Sequence, residues 1–312
     1  MGRFLVTGGC GFIGSHLCAR LERIGHRVRV LDDLSTGRID NISDTTELII
    51  GDVADPQCVA RAMADVDGCF HLAAVASVQR SVEDWLGTHR TNLTGAIAVF
   101  DAARRPGGSA VPVAYASSAA VYGDNEQAPL SEDSAVRPIT AYGADKLGCE
   151  LHARVATLVH GVPTCGLRFF NVFGPRQDPH SPYSGVISIF TDRLLSRKPL
   201  SIFGDGDQRR DFVFVEDVVD HLLASMESMV DRPRVFNVCR GQGTSIRELA
   251  QILGETLRMT PRILFRPGKP GDIRVSIGDP TQSIAEFGIH ASTTLHEGMR
   301  HTVDYMRPII AA

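Results

Sequence analysis

The sequence contains no apolar run long enough to cross a bilayer. Its longest uncharged stretch, Pro106 to Gly123, is rich in Gly, Ser, Ala and Pro and too weakly apolar to span as a helix. Among its seven cysteines there is no C-x-x-C pair, and the odd number argues against a disulfide framework or a zinc ribbon. No metal site is expected. Basic clusters are also missing. Arg104-Arg105 and Arg209-Arg210 are isolated pairs in a chain with 36 acidic against 32 basic residues and a formal net charge of −4. Neither a nucleic acid nor an anionic membrane surface is therefore an expected partner. No signal peptide precedes the strand-like Arg3-Phe4-Leu5-Val6, and Val6 stands where a myristoylation signal requires Ser or Thr. Internal repeats and low-complexity tracts are absent as well. These absences leave a soluble cytoplasmic protein as the expectation, and 312 residues correspond to about two domains at roughly 150 residues each.

What is present is alternation. Phe4–Val6, Val28–Leu31, Leu48–Ile50, Gly68–Leu72 and Val111–Tyr115 read as short strands, with Pro112 near the start of the last or at a bulge. Between them Ile13–Ile24, Pro56–Ala64, Trp85–Arg104 and Ala141–His160 read as helices. Near-continuous apolar strands alternating with helices predict a parallel sheet covered on both faces. After about residue 172 the alternation loosens. A loop at 174–183 leads to a helix over Val186–Arg197, and Ser201–Phe203 and Phe212–Val215 look like strands. Ser245-Ile246-Arg247-Glu248 is a capping box opening a helix to about Leu257.

Thr7-Gly8-Gly9-Cys10-Gly11-Phe12-Ile13-Gly14 follows a strand and opens a helix. Gly8, Gly11 and Gly14 permit a tight turn, close approach of backbone to a pyrophosphate, and close helix packing; the helix N-terminus, at Phe12 and Ile13, offers N–H groups to the phosphates. Asp32, at the end of the next strand, accepts hydrogen bonds from ribose hydroxyls and repels a 2′-phosphate, so NAD rather than NADP is expected. Asp52 and Val53, after the third strand, are expected near adenine. The fold class is therefore α/β, a Rossmann-type doubly wound parallel sheet with a smaller α/β substrate-binding C-terminal domain. The expected division is 1–170 for the NAD-binding domain and 171–312 for the second, with segments near 212–215 and 235–238 returning to the first.

Tyr142-Gly143-Ala144-Asp145-Lys146 places a phenol and an ammonium four residues apart, on one helix face. An unperturbed phenol has a pKa of ~10, and a neighbouring ammonium favours its ionised form. Ser117-Ser118 lies just past an apolar strand, where a hydroxyl can hold a sugar oxygen. Thr7–Gly14, Ser118, Tyr142 and Lys146 together resemble the extended short-chain dehydrogenase/reductase family. Arg168-Phe169-Phe170-Asn171-Val172-Phe173-Gly174-Pro175-Arg176-Gln177-Asp178-Pro179 narrows the resemblance to nucleotide-sugar 4-epimerases of the UDP-galactose type, over nearly the whole chain. The resemblance implies that Ser118, Tyr142 and Lys146 are catalytic, that Asn92 lies by the nicotinamide, and that Leu72, Ala73 and Ala74 line the cofactor. It implies redox-neutral epimerisation at C4 of a UDP-hexose through a 4-keto sugar, with tightly held NAD. Ala119-Ala120 follow Ser118 where related dehydratases carry Asp-Glu and UDP-glucuronate decarboxylases carry Glu, which argues against both.

The same resemblance assigns Asn171 and Arg210 to the diphosphate, Ser117 and Ser118 to the sugar, and Ser201 and Phe203 to the flank of the uracil. A late loop, Gly268-Lys269-Pro270-Gly271-Asp272-Ile273-Arg274, departs from the family pattern by placing Lys269 where Arg is common. Whether Arg266, Lys269 or Arg274 meets phosphate stays open, and Asp272 is assigned to ribose hydroxyls. Ser276 falls where a bulky Tyr excludes 2-acetamido sugars in this family, so UDP-GlcNAc and UDP-GalNAc are expected substrates beside UDP-Glc and UDP-Gal. A UDP-glucuronate 4-epimerase and a non-catalytic NAD-binding scaffold or sensor are the alternatives. The two longest predicted helices carry apolar residues on more than one side, and the resemblance implies a homodimer built on them.

Overall fold

The computed structural model describes residues 1–105, 108–125, 127–179, 185–268 and 273–311. Along the chain run β1 (Arg3–Thr7), α1 (Phe12–Arg23), β2 (Arg27–Asp32), β3 (Glu47–Ile50), α2 (Pro56–Met63), β4 (Gly68–His71), α3 (Val78–Glu83), α4 (Trp85–His89), α5 (Gly95–Ala102), β5 (Val113–Ser118), α6 (Ala141–His160) and β6 (Thr164–Phe169). They are followed by β7 (Asn171–Phe173), α7 (Val186–Leu195), β8 (Leu200–Phe203), β9 (Arg209–Phe214), α8 (Val215–Glu227), β10 (Arg234–Val238), β11 (Gly243–Ser245), α9 (Ile246–Leu257), β12 (Ile263–Arg266), β13 (Val275–Ser276), α10 (Thr281–Phe287) and α11 (Leu295–Ala311). The chain divides into two compact units. The first comprises Met1–Gly123, Ala135–Arg168 and Val219–Phe236, the second Asp124–Ser134, Phe169–Val218 and Asn237–Ala312.

The first unit is built on a seven-stranded sheet of order β10-β6-β5-β4-β1-β2-β3. β1 pairs in parallel with both β2 and β4, β2 with β3, and β4 with β5. Strand order reverses between β1 and β4, and at such a switch point the carboxyl ends of the strands leave a crevice for a ligand. Leu5, Leu31, Cys69, Val113 and Tyr115 from the strands pack with Val59, Val99, Phe100 and Ala153 from the helices in one buried cluster. Local signals set the helix ends. Asp55 caps α2 ahead of Pro56, and Thr140 caps α6 by accepting from the Gly143 amide; Gly161, in the left-handed conformation, terminates α6.

The sequence expectation is corrected at the long helix and at β9, and met at Pro112. The helix expected over Trp85–Arg104 is interrupted by a π-turn, Arg90–Thr94, between α4 and α5. A π-turn widens the helix by one residue and is most often kept for a local purpose. Pro112 lies just ahead of β5, where its carbonyl accepts from Cys69 N, and so never has to supply a ladder N–H. Phe212–Phe214 do not return to the first unit, because β9 finds its partners elsewhere; the returning segment is Val219–Phe236.

In the second unit β9 is central, antiparallel to β11 and parallel to β13 and β7. β8 and β12 form a separate parallel pair. Ser245 and Glu248 exchange both hydrogen bonds of the capping box that opens α9. The segment Asp124–Ser134 is held by a buried knot. Leu130 N donates to Ile277 O at 2.8 Å, and Leu130 O accepts from Asp279 N at 2.8 Å. The fully buried Asn237 donates through Nδ2 to Leu130 O at 2.8 Å and Asp279 O at 3.3 Å, while its amide donates to Glu132 Oε1 at 2.7 Å. Asn237→Ala removes the side-chain donor from the Leu130 and Asp279 carbonyls and is expected to cost about 1–3 kcal/mol. Denaturant unfolding of the variant against the parent chain measures it.

Candidate dinucleotide and acid–base site

The turn after β1 is held by contacts that only glycine allows. Gly8 has φ +71°, and a Cβ there would lie 2.8 Å from the Ala73 backbone; at Gly14 it would lie 2.2 Å from Gly8 O. At Gly11 a Cβ would meet only Gly8 O, at 3.2 Å. Packing alone therefore explains Gly8 and Gly14, whereas Gly11 leaves room beside the start of α1. Gly11 is also the N-cap of α1 and provides no side-chain cap, so the amides of the first turn keep their donors directed out of the helix. Thr7 Oγ1 accepts from Leu72 N and Ala73 N, both at 3.2 Å, fastening β1 to the segment after β4.

Asp32 is buried at the end of β2, with Oδ2 accepting from Cys10 N and Oδ1 from Leu34 N, both at 2.9 Å. Burial pushes its carboxyl above the usual carboxylate value, while the two amides act in the opposite direction. Gly37, which the motif reading did not single out, approaches so closely that a Cβ would lie 2.9 Å from Asp32 Oδ1. Asp52 pairs with Arg90 on the π-turn at 2.6 Å, and Val53 is buried against Gly95. Leu72, Ala73 and Ala74 follow β4 half-buried. The buried Asn92, in the π-turn, accepts from Val75 N at 2.8 Å and donates to Val75 O at 3.2 Å.

On α6, Lys146 is buried and donates through Nζ to Ala116 O of β5 at 2.9 Å, with Nζ 5.9 Å from the Tyr142 ring centroid. Ser118 ends β5 half-buried, its Oγ accepting from Ala120 N at 3.1 Å. Ser117 departs from expectation. Successive strand residues point to opposite faces, and Ser117 is buried with Oγ donating to Glu150 Oε1 at 2.5 Å. Glu150 forms a two-pronged ion pair with Arg168, Nε to Oε1 at 2.9 Å and Nη2 to Oε2 at 2.8 Å, and Arg168 Nη1 donates to the Tyr122 hydroxyl at 2.9 Å. Glu150 was legible in principle, since it follows Lys146 by four residues and so shares its helix face.

His71, at the end of β4, bonds Thr7 Oγ1 through Nδ1 at 2.8 Å. Two amides already donate to that oxygen, so the hydroxyl donates to Nδ1, which assigns the ring proton to Nε2. Burial, aided by the Lys146 ammonium, pushes the imidazole down to about 3.

In the second unit, Asn171 Nδ2 donates to Asp211 O at 3.1 Å, and Arg210 stands opposite Ser276 in the β9–β13 register. Asp211 is fully buried, accepting from the amides of Arg240, Gly241 and Gly278; burial pushes its carboxyl up to about 6. On β8, half-buried Ser201 pairs with Leu264 and exposed Phe203 with Arg266. Arg274 is taken by Asp205, with Nη1 2.7 and 2.8 Å from its two oxygens. Among the three candidate phosphate cations this one is already answered by a carboxylate. Lys269 and Asp272 lie outside the described residues.

Residues 4–239 match the model of the NAD dependent epimerase/dehydratase family. The chain belongs to this family. It is 38% identical over 311 residues to a UDP-glucose 4-epimerase of Mycolicibacterium smegmatis, covering 98% of each chain. Its fold superposes with a TM-score of 0.94 on UDP-glucose 4-epimerase from Thermotoga maritima with UDP-glucose, at 34% identity and 99% coverage of both. A UDP-N-acetylglucosamine 4-epimerase from Methanobrevibacter ruminantium, in complex with UDP-N-acetylmuramic acid, gives 0.93 at 33% identity and 99% coverage of both.

Like the family, the enzyme uses NAD. The residues present fit that group: an open space at Gly11, an uncapped helix start, and a carboxylate oriented by two amides at Asp32. Among the described residues no metal-binding cluster is present, and no helix is long and apolar enough to cross a membrane. All seven cysteines are buried thiols.

Two outcomes follow for stability. Glu150→Ala removes the carboxylate that faces the buried Arg168 guanidinium, and a loss of about 3–5 kcal/mol is expected in chemical denaturation. For His71 the sign is fixed by the depressed value. The unfolded imidazole titrates at ~6.5 and the folded one at about 3, so the unfolded chain binds the extra proton between those values and stability falls as pH drops through that window. His71→Gln removes this contribution, so a plot of unfolding free energy against pH should be shallower for the variant below about 6.5.

Proposed function

We propose that this enzyme epimerises UDP-hexoses at C4, with Ser118, Tyr142 and Lys146 as its acid–base set. The observation that carries the reading is the arrangement at β5 and α6, where a buried ammonium lies beneath the Tyr142 ring and Ser118 ends the neighbouring strand. Bound NAD supplies the acceptor, and later the donor, of the C4 hydride. Tyr142 takes the proton of the 4-hydroxyl as the C4–H bond breaks, which leaves a 4-keto sugar. Lys146 sets its ammonium beside the Tyr142 ring, and Ser118 holds the sugar oxygen. After the keto sugar turns over in the pocket, Tyr142 would give the proton back to the 4-oxygen as its other face is reduced, and the net reaction would need no outside oxidant.

For the cofactor we assign Gly8, Gly11, Phe12, Ile13 and Gly14 to the pyrophosphate and Asp32 to the adenosine ribose. Asp52 and Val53 are assigned to adenine, and Leu72, Ala73, Ala74 and Asn92 to the nicotinamide side. For the UDP moiety we assign Asn171, Arg210 and Lys269 to the diphosphate, Asp272 to ribose, and Ser201 and Phe203 to uracil. A planar guanidinium suits a diphosphate because its donors bind two oxygens together. The small side chain of Ser276, beside Arg210 in register, supports acceptance of 2-acetamido sugars. Exposed Leu151, Val155, Leu158 and Val159 form an apolar stripe on α6, which supports a homodimer. The compartment we assign is the cytoplasm.

NMR of the purified enzyme with UDP-Glc, UDP-Gal, UDP-GlcNAc and UDP-GalNAc should show interconversion within each C4 pair. Refusal of both acetamido sugars would remove the assignment of Ser276, and refusal of all four would remove the epimerase reading. Tyr142→Phe is expected to lower kcat by ~10²–10⁴-fold with UDP affinity retained by calorimetry.

A further inference from the structure

Asp145 precedes Lys146 on α6 but serves a different face of the helix. Lys146 and Glu150 reach β5, through Ala116 O and the Ser117 hydroxyl. Asp145 turns toward the end of α4, where its Oδ1 lies 2.8 Å from Nδ1 of His89; its side chain is only 5% exposed, and its Oδ2 is buried with no hydrogen-bond partner. Tyr142, Lys146 and Glu150 thus share a helix with a buried carboxylate whose Oδ1 meets His89 and whose Oδ2 has no hydrogen-bond partner among the described residues. The neighbours of Asp145 on that face are equally close to the π-turn. A Cβ at Gly148 would lie 3.1 Å from Leu93, and the Cys149 thiol donates to Asn92 O at 3.4 Å.

A π-turn has weaker internal geometry than an α-helix and persists where its surroundings over-determine it. Here three side chains at its start and middle reach three different elements. His89 meets Asp145 on α6, Arg90 meets Asp52 after β3, and Asn92 meets both backbone groups of Val75 after β4. An apolar contact at the first of these would tolerate rotation and sliding of α6. A hydrogen bond to a buried carboxylate fixes both, because leaving that carboxylate unpaired is costly.

We propose that His89 and Asp145 are positioning residues, a clamp that locks α6 and the π-turn in one register and thereby keeps Lys146 and Asn92 placed for the nicotinamide end of NAD. The inference rests on the assignment of Lys146 and Asn92 given above. Its chemistry is a directed hydrogen bond rather than a contact with cofactor or sugar. The clamp therefore governs how firmly NAD is retained during a reaction whose keto sugar must turn over before hydride returns.

The test uses the full NAD-loaded enzyme and three variants: Asp145→Asn, His89→Ala, and the double change His89→Phe with Asp145→Leu. Melting temperature, the rate of NAD loss on dilution, NADH fluorescence accumulated with UDP-sugar, kcat and KM are read for each. The apolar double variant removes the buried charge and is expected to melt near the parent. It should nevertheless lose NAD at least about tenfold faster and drop kcat by ~10–100-fold, with KM little changed and NADH accumulating. Asp145→Asn keeps an acceptor for the imidazole N–H and should retain NAD within about threefold of the parent. A double variant that holds NAD and turns over like the parent would overturn the clamp, as would an Asp145→Asn enzyme as leaky as the double variant. Should the double variant not fold, His89→Ala decides: its imidazole is half-exposed, water can replace it, and parental NAD retention there overturns the proposal. If the parent binds NAD but epimerises none of the four sugars, the functional reading fails while the NAD-loss comparison still judges the clamp.

Discussion

The first unit depends on one buried charge pair. Glu150 and Arg168 are each 7% exposed, and such a pair is tolerable only where further hydrogen bonds support the charges. Here Arg168 directs donors to both Glu150 oxygens and to the Tyr122 hydroxyl, and Glu150 also accepts from Ser117. Those partners belong to β5, the turn after it, α6 and β6. Slippage of any one of these elements would strand a charge in the core, so their mutual register is more tightly set than apolar packing could set it. Ser118 and Tyr142 sit at the ends of elements fixed in this way, so the proposed acid–base groups are placed without having to support the fold.

A second constraint operates at the switch point of the sheet. The Gly-rich turn must approach the segment after β4 closely enough that a methyl group at Gly8 would strike the Ala73 backbone. Thr7 closes the same gap from the other side by accepting both Leu72 and Ala73 amides. Its hydroxyl proton then has one acceptor, His71, and the imidazole stays neutral beside the Lys146 ammonium. A neutral His71 matters because a second positive charge there would repel Lys146. Backbone crowding at a glycine turn and electrostatics at the buried Lys146 are linked through one hydroxyl.

Much of this was legible along the chain where the cause is local. The glycine spacing, the capping box at Ser245 and the Tyr142–Lys146 face all reflect interactions among residues a few positions apart. What escaped depends on parity or on distant partners. Whether Ser117 or Ser118 faces the site turns on strand alternation, which two adjacent serines leave undecided. Arg274 reads along the chain as a phosphate candidate, yet its guanidinium is held by Asp205, 69 positions away. The Phe212–Phe214 strand has the same composition whichever sheet it joins; only its pairing with β7 assigns it. The π-turn has no composition of its own, since Arg90–Thr94 would serve equally well in a regular helix, and it is its anchors on Asp52 and Val75 that make it stand.

Helix α6 shows how these constraints are reconciled in twenty residues. Tyr142, Lys146 and Glu150 recur every four positions and belong to the β5 side. Asp145, Gly148 and Cys149 belong to the π-turn side, and the apolar Leu151, Val155, Leu158 and Val159 remain outward. A helix with 3.6 residues per turn has room for three such stripes only if each is narrow. Narrow stripes have little tolerance for rotation: turning the helix to improve any one contact degrades the other two. The outward stripe lies toward the C-terminal half and the chemical residues toward the N-terminal half, so covering the stripe with a second protein surface would stiffen the same helix without approaching Tyr142. Association and catalysis would then share a mechanical element while using different residues of it.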